Sequence, residues 1–298
     1  MVFNHLIGVR FPVGPPVFNM KFLRVGKLNQ EKPAIIDNNE VIRDISSLID
    51  DLNPKSINSS TIKKINETNL EKLPELSNNF RVGACVSDPQ KFIGIGLNYT
   101  EHAKETDANS PNEPIVFFKA NSSICGPNDN VCLPKDSLKS DWEVELGVII
   151  GKQAKNITED KSMDHIFGFC IVNDVSEREY QLERSSGQWD KGKAFDTFGP
   201  IGPYIVTKDE IKDVQNLNLE LKLNGKIMQK GNSRNMIFGV AHLVSYLSYF
   251  MTLKPADIIT TGTPPGVGMG KSPQIFLKSG DEMELNVDGL GTQKQKVK

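Results

Sequence analysis

Apart from one stretch, the long apolar segments of this chain have the length of strands. The exception is "NMIFGVAHLVSYLSYF", where Ile237, Val240, Ala241, Val244, Leu247 and Phe250 keep helical spacing. Around it, "KFIGIGLNY", "PIVFFKA", "ELGVIIG", "FGFCIVNDVS" and "PIGPYIVT" are short apolar runs bounded by Gly, Pro and Asn, the pattern of strands. "LNLELKLNGKIMQKG" reads as a hairpin, with Asn224-Gly225 supplying the positive dihedrals of a tight turn. "DEMELNVDGLGTQKQKV" reads as a second, turning near Asp288-Gly289. Strands that do not alternate regularly with helices exclude a doubly wound parallel sheet. The expectation is a mixed α+β chain, mostly β, built as a sandwich or roll with peripheral helices.

The 298 residues divide into three parts. Residues 1–19 contain Pro12, Pro15 and Pro16, show no period, and read as a loose arm; Met20 is a second plausible start. Residues 20–81 read as a small N-terminal domain, with "KFLRVG", "KPAIID" and "EVIRDIS" as strands before an Asn-rich, helix-compatible stretch from Ser46 to Leu73. Residues 82–298 form the large domain.

Composition excludes several classes. A chain 38% hydrophobic and 24% charged is ordinary for a globular protein. A net charge of -2 without a dense Lys/Arg block leaves no electrostatic footprint for nucleic acid or an anionic membrane. Cys85, Cys125, Cys132 and Cys170 form no C-x-x-C pair and read as free thiols. The N-terminus has no secretory pattern, and no apolar run is long enough to span a bilayer. A cytoplasmic location is expected.

Within the strand pattern, "DWEVELG" stands out. Asp141, Glu143 and Glu145 share one face because side chains alternate along a strand. This is either a solvated strand face or a place where repelling carboxylates gather a cation. Asp174 ends the apolar run "FGFCIVNDVS"; it could cap the following segment or add a third carboxylate. In "GLNYTEHAKET", His102 and Glu105 are three apart, so a helix would set the acid against the imidazole, as in a base that activates water. His5 lies in the arm, His165 has little polar company, and His242 lies in the apolar helix. Lys193, in "GQWDKGKAFDTFGP", is either solvated or placed to meet developing negative charge. Lys119 interrupts the strand "PIVFFKA", and so sits at a strand end or is paired. "TGTPPGVG" lacks the spacing of a nucleotide-binding loop.

Six segments, "GLNYTEHAKE", "PIVFFKANSSICGP", "DWEVELG", "VNDVSEREYQ", "GKAFDTFGPIGP" and "TGTPPGVG", occur in an order that closely resembles the fumarylacetoacetate hydrolase superfamily. The resemblance runs from about Lys91 to the C-terminus, and "MKFLRVG" is similar to the start of the family's smaller N-terminal domain. It implies a β-roll catalytic domain, a homodimer and a divalent metal, Mg²⁺ with Mn²⁺ or Ca²⁺ as alternatives. The metal ligands it implies are Glu143, Glu145 and Asp174. His102 and Glu105 fall on a water-activating pair carried by a lid helix, and Lys193 on the Lys of "GK-x-F". Arg178, Gln181, Thr263 and Lys119 fall on positions near the substrate. The implied reaction is hydrolytic cleavage of a C–C bond in a 2,4-diketo acid, and "QWDKGKAFDTFGPIGP" is most similar to the sugar-acid branch, which includes hydrolases of 2,4-diketo-3-deoxy sugar acids. Ureidoglycolate lyases, and the isomerases, decarboxylases and hydratases of aromatic catabolism, are the alternatives. Leu97 stands where some acylpyruvate-cleaving relatives have Arg, which counts against simple acylpyruvates as substrates.

Overall fold

The computed structural model describes residues 20–298 except 78, 107 and 185; the expected N-terminal arm, with His5, lies outside the described residues. The chain is mostly β. Three strands come first, β1 (Lys21–Val25), β2 (Lys32–Ile36) and β3 (Ile42–Asp44), followed by helix α1 (Ser59–Asn66). Then come β4 (Phe92–Gly96), helix α2 (Thr100–Glu105), β5 (Ile115–Lys119), β6 (Ile124–Cys125), β7 (Ser140–Asp141) and β8 (Val144–Ile150). They lead to β9 (Ile166–Asn173), β10 (Ser176–Glu177), the short helix α3 (Asp190–Lys193) and β11 (Gly199–Thr207). The C-terminal part holds β12 (Asn218–Leu223), β13 (Lys226–Asn232), helix α4 (Val240–Phe250), β14 (Ile258–Thr260), β15 (Glu282–Val287) and β16 (Gly291–Lys296).

The large sheet runs β3-β2-β1-β11-β9-β8-β14-β4-β5, with β6 added in parallel to β11. A four-stranded sheet, β13-β12-β15-β16, packs against its centre, and β7 and β10 pair separately. The two hairpins expected from sequence are present: Asn224 and Gly225 both have positive φ, and Gly289 turns the second.

The strands β8 and β9 are buried along their whole length. Val144, Leu146, Val148 and Ile150 enter the core under the four-stranded sheet, with Leu219, Leu221, Leu285 and Val287. The opposite face adds Ile149, Cys170 and Val172 to a second cluster that includes Phe22, Ile35 and Ile45 from the N-terminal segment. Each fully buried aliphatic side chain contributes about 1.5–3 kcal/mol, so both faces of this strand pair are fixed by packing. Residues 20–81 therefore share a sheet and a core with the rest: Phe22 pairs with Ile205 across β1 and β11, and its ring lies 5.5 Å from that of Phe167.

Two sequence readings are corrected. The helix begins only at Val240, because the Asn98 side chain and backbone accept from Phe238 N and Ile237 N and hold the preceding residues extended. The solvated-face reading of "DWEVELG" also fails: Asp141, Glu143 and Glu145 are 0%, 5% and 1% exposed. No described helix is long and apolar enough to cross a membrane.

Candidate metal centre and active site

The antiparallel register of β8 and β9 pairs Val144 with Asn173. That sets the end of one strand beside the start of the other, and Asp174 N donates to Glu143 O at 2.9 Å. Glu143, Glu145 and Asp174 then offer one carboxylate oxygen each, all within 4.8 Å of one another and all buried. Glu145 accepts from the Thr260 hydroxyl and from Gly262 N (2.7 Å). Burial, followed by the charges of Asp174 and Glu143, pushes its pKa well above the usual carboxylate range. Burial pulls Glu143 the same way, but Lys193 and Arg178 outweigh it and hold that carboxyl below its usual range.

Two ammonium groups enter this cluster. Lys193 Nζ donates to Glu143 Oε2 (2.9 Å) and Asp174 Oδ2 (2.7 Å), at 4.9 Å from the centre of the Phe117 ring. The solvated reading of Lys193 fails: the residue ends the short helix α3 and is 2% exposed. Lys119 Nζ donates to Asp174 Oδ1 (2.6 Å) and Val175 O (3.2 Å). Its burial lowers its pKa even against the pull of Asp174. Lys119 does not line the cavity described below; it holds Asp174 from behind.

Arg178 joins the cluster to Asp141. Nη1 lies 2.7 Å from Glu143 Oε1 and donates to Gln181 Oε1 at 2.9 Å, while Nε donates to Asp141 Oδ2 at 2.9 Å. Nη2 is 2.9 Å from that same Asp141 oxygen but has no partner in hydrogen-bond geometry, so that contact is electrostatic only. Asp141 also accepts from Trp142 N, Gly268 N and Met269 N at 2.7–2.9 Å. It therefore ties the Gly/Pro-rich loop after β14 to Arg178. Sequence reasoning left this acid without a role, although the two-residue period had already placed it with the glutamates.

His102 and Glu105 lie on α2 as their spacing predicts, with Nδ1 and Oε1 2.8 Å apart. Glu105 also accepts from Gly266 N at 2.8 and 3.0 Å, which docks α2 on the same loop. Gly266 has φ +112°, and a Cβ there would meet Met228 O at 2.0 Å. Any other residue would displace the loop and the N–H that receives Glu105.

Between these elements lies a cavity of about 130 Å³. His102, Glu143, Glu145, Arg178, Gln181 and Lys193 form its polar lining. Leu97, Thr106, Ala108, Leu182, Trp189 and Met269 form much of the rest. The Trp189 ring packs against Gly96, where a Cβ would meet Cζ3 at 2.3 Å. Thr263 also lines the cavity, but its hydroxyl already donates to Val144 O (2.9 Å) and accepts from Gln229 Nε2 (2.7 Å). His242 lies elsewhere, exposed on α4 beside Glu159, and His165 is buried against Lys152 O.

Three buried carboxylates at this separation, one pushed toward protonation by burial and then by its neighbours, fit a hard divalent cation that takes oxygen ligands.

A profile of the fumarylacetoacetate (FAA) hydrolase C-terminal family matches residues 91–298. A protein of Burkholderia ambifaria named only as a hydrolase is 54% identical over 280 residues, covering 94% of this chain and 99% of its own. Among solved structures, a 2-hydroxyhepta-2,4-diene-1,7-dioate isomerase from Mycobacterium marinum superposes with a TM-score of 0.75 at 30% identity, covering 93% of this chain and 98% of its own. A maleylpyruvate hydrolase from Sphingobium sp. SYK-6, in complex with manganese(II) and pyruvate, does so with a TM-score of 0.78 at 27% identity, covering 93% and 98%. The chain belongs to the fumarylacetoacetate hydrolase family, whose members among these relatives are hydrolases and isomerases.

Proposed function

We propose that this protein is a divalent-metal-dependent hydrolase that cleaves a C–C bond of a 2,4-diketo acid. One observation carries the reading: Glu143 and Glu145 of the buried Glu143, Glu145 and Asp174 cluster, and His102 of the His102–Glu105 pair, line the same cavity. Glu143, Glu145 and Asp174 would hold the ion, Mg²⁺ or Mn²⁺. When bound, the ion supplies Lewis-acid stabilisation of charge at the 2-oxo acid end of the substrate. Glu105, accepting from His102 Nδ1, keeps the ring proton there and leaves Nε2 with a free lone pair. His102 then takes a proton from water as the water adds to the distal carbonyl. The bond between C3 and C4 breaks, its electron pair goes to C3, and the enolate so formed lies near the Lys193 ammonium; the proton held by His102 then passes to C3, giving pyruvate and the carboxylic acid of the distal group. Arg178 and Gln181 orient the carboxylate end.

A second reading, an isomerase, draws support from the Mycobacterium marinum neighbour. It needs proton transfer at carbon but no attack by water, so it releases no pyruvate. A pyruvate-coupled assay over 2,4-diketo-3-deoxy sugar acids, acylpyruvates and ureidoglycolate separates hydrolase, isomerase and lyase. Activity that survives excess chelator, or in Glu143→Ala with the fold intact, ends the metal-hydrolase reading. A homodimer, as the resemblance implies, is part of this reading, and light scattering after gel filtration tests it.

A further inference from the structure

The cavity's basic side chains are all committed to acidic partners. Lys193 is paired with Glu143 and Asp174, Arg178 with Asp141 and Glu143, and His102 with Glu105. Among the described residues no other Lys, Arg or His lines the cavity. Besides these groups, the side chains of Leu97, Ala108, Leu182, Trp189 and Met269, with Thr106, form a wall of the cavity. The Thr106 hydroxyl already donates to His102 O and Ala103 O, and that of Thr263 donates to Val144 O and accepts from Gln229 Nε2, so neither has a proton left to donate.

A substrate carboxylate placed against this wall would give up part of its water and find no cation in exchange. A tail with a hydroxyl on every carbon would lose hydration and find few replacement hydrogen bonds, the Thr106 and Thr263 hydroxyl oxygens serving only as acceptors. An aliphatic or aromatic tail would gain by burial.

We propose that the site takes monocarboxylic 2,4-diketo acids whose group beyond the second carbonyl is short, uncharged and largely apolar, and rejects short dicarboxylates. The proposal rests on the hydrolase reading above. It also changes the sense of Leu97: in the cavity, this residue contributes an apolar contact rather than a charge, and that favours an uncharged acyl tail.

Binding and turnover test it separately. Binding of 5-methyl-2-oxohexanoate and of 2-oxoglutarate, close in shape but differing in terminal charge, is measured calorimetrically with the Mn²⁺-loaded protein. The uncharged acid is expected to bind at least about tenfold more tightly. Equal or tighter binding of 2-oxoglutarate, or no binding of either acid, overturns the proposal. In turnover, kcat/KM for an acylpyruvate is expected to exceed that for maleylpyruvate by on the order of 100-fold. Comparable values sink the specificity and leave the hydrolase reading intact. No pyruvate from any diketo acid sinks the hydrolase reading, and the binding comparison still decides the tail. Leu182 is 43% exposed, so Leu182→Arg leaves the core untouched. It is expected to improve 2-oxoglutarate binding roughly tenfold relative to the uncharged acid. An unchanged ratio overturns the placement of the tail against this wall.

Discussion

At the scale of single residues, Asp141 is the acid whose importance was least apparent. Its two oxygens receive three backbone N–H groups and the Arg178 guanidinium, and its own side chain is fully buried. Removing one partner of a buried pair leaves an uncompensated charge, so Asp141→Ala is expected to cost about 3–5 kcal/mol in urea unfolding. Asp141→Asn keeps an acceptor for the loop but weakens the hold on Arg178. It is expected to fold, with a rise in KM that exceeds any fall in kcat. Equal stability of the alanine variant and the parent would show that the loop is held by other means. The period-2 pattern identified Asp141, Glu143 and Glu145 as one face, but burial decided that this face is not in water. A strand with acids on one side looks the same in sequence whether that side meets solvent or a second strand's carboxylate.

At the scale of elements, α2 is only six residues long and too short to persist alone. It is held by Glu105, whose carboxylate serves both the imidazole and Gly266 N. Glu105→Gln retains an acceptor for Gly266 but loses the charge that supports His102. It is expected to lower kcat by about 10- to 100-fold with little change in stability. Glu105→Ala should in addition speed amide exchange over residues 100–106, and unchanged exchange would show that the helix docks without this residue. The β2–β3 hairpin offers a check far from the site. Asp37 accepts from Asn39 N, Val41 N and Arg43 Nε, each at 2.9 Å. Burial works to raise its pKa, but these bonds and the Arg43 charge outweigh it and leave the carboxyl below its ordinary value. A lowered folded-state pKa gives stability that is present above the unfolded value, near 3.9, and lost as pH falls through the folded one. Asp37→Asn should therefore cost about 1 kcal/mol at neutral pH and shrink the acid-limb loss of stability. A variant with an unaltered acid limb would rule the hairpin out as its source. The helical spacing of His102 and Glu105 and the Asn-Gly turn were legible because both depend on neighbours in sequence. The dock on Gly266 was not, because its partner lies 161 residues away.

At the scale of the molecule, the N-terminal strands extend the central sheet through β1 and β11 and share their core. A chain beginning at residue 82 would expose the edge of β11 and the apolar surface around Phe167, Ile201 and Ile205. It is expected to be insoluble or to unfold non-cooperatively, as circular dichroism and gel filtration would show; a monodisperse, cooperatively folded fragment would contradict this. By itself the sequence determined the strand-rich class, the turns, the hairpins and the pairing of His102 with Glu105. All of these follow from local dihedral preferences and side-chain periodicity. Only the tertiary structure decided that three carboxylates from two neighbouring strands and their ends meet two lysines and an arginine, and that, among the described residues, the remaining wall of the cavity carries no free charge. Those facts depend on strand register and on contacts between residues far apart in the chain, which the pattern of any one segment leaves open.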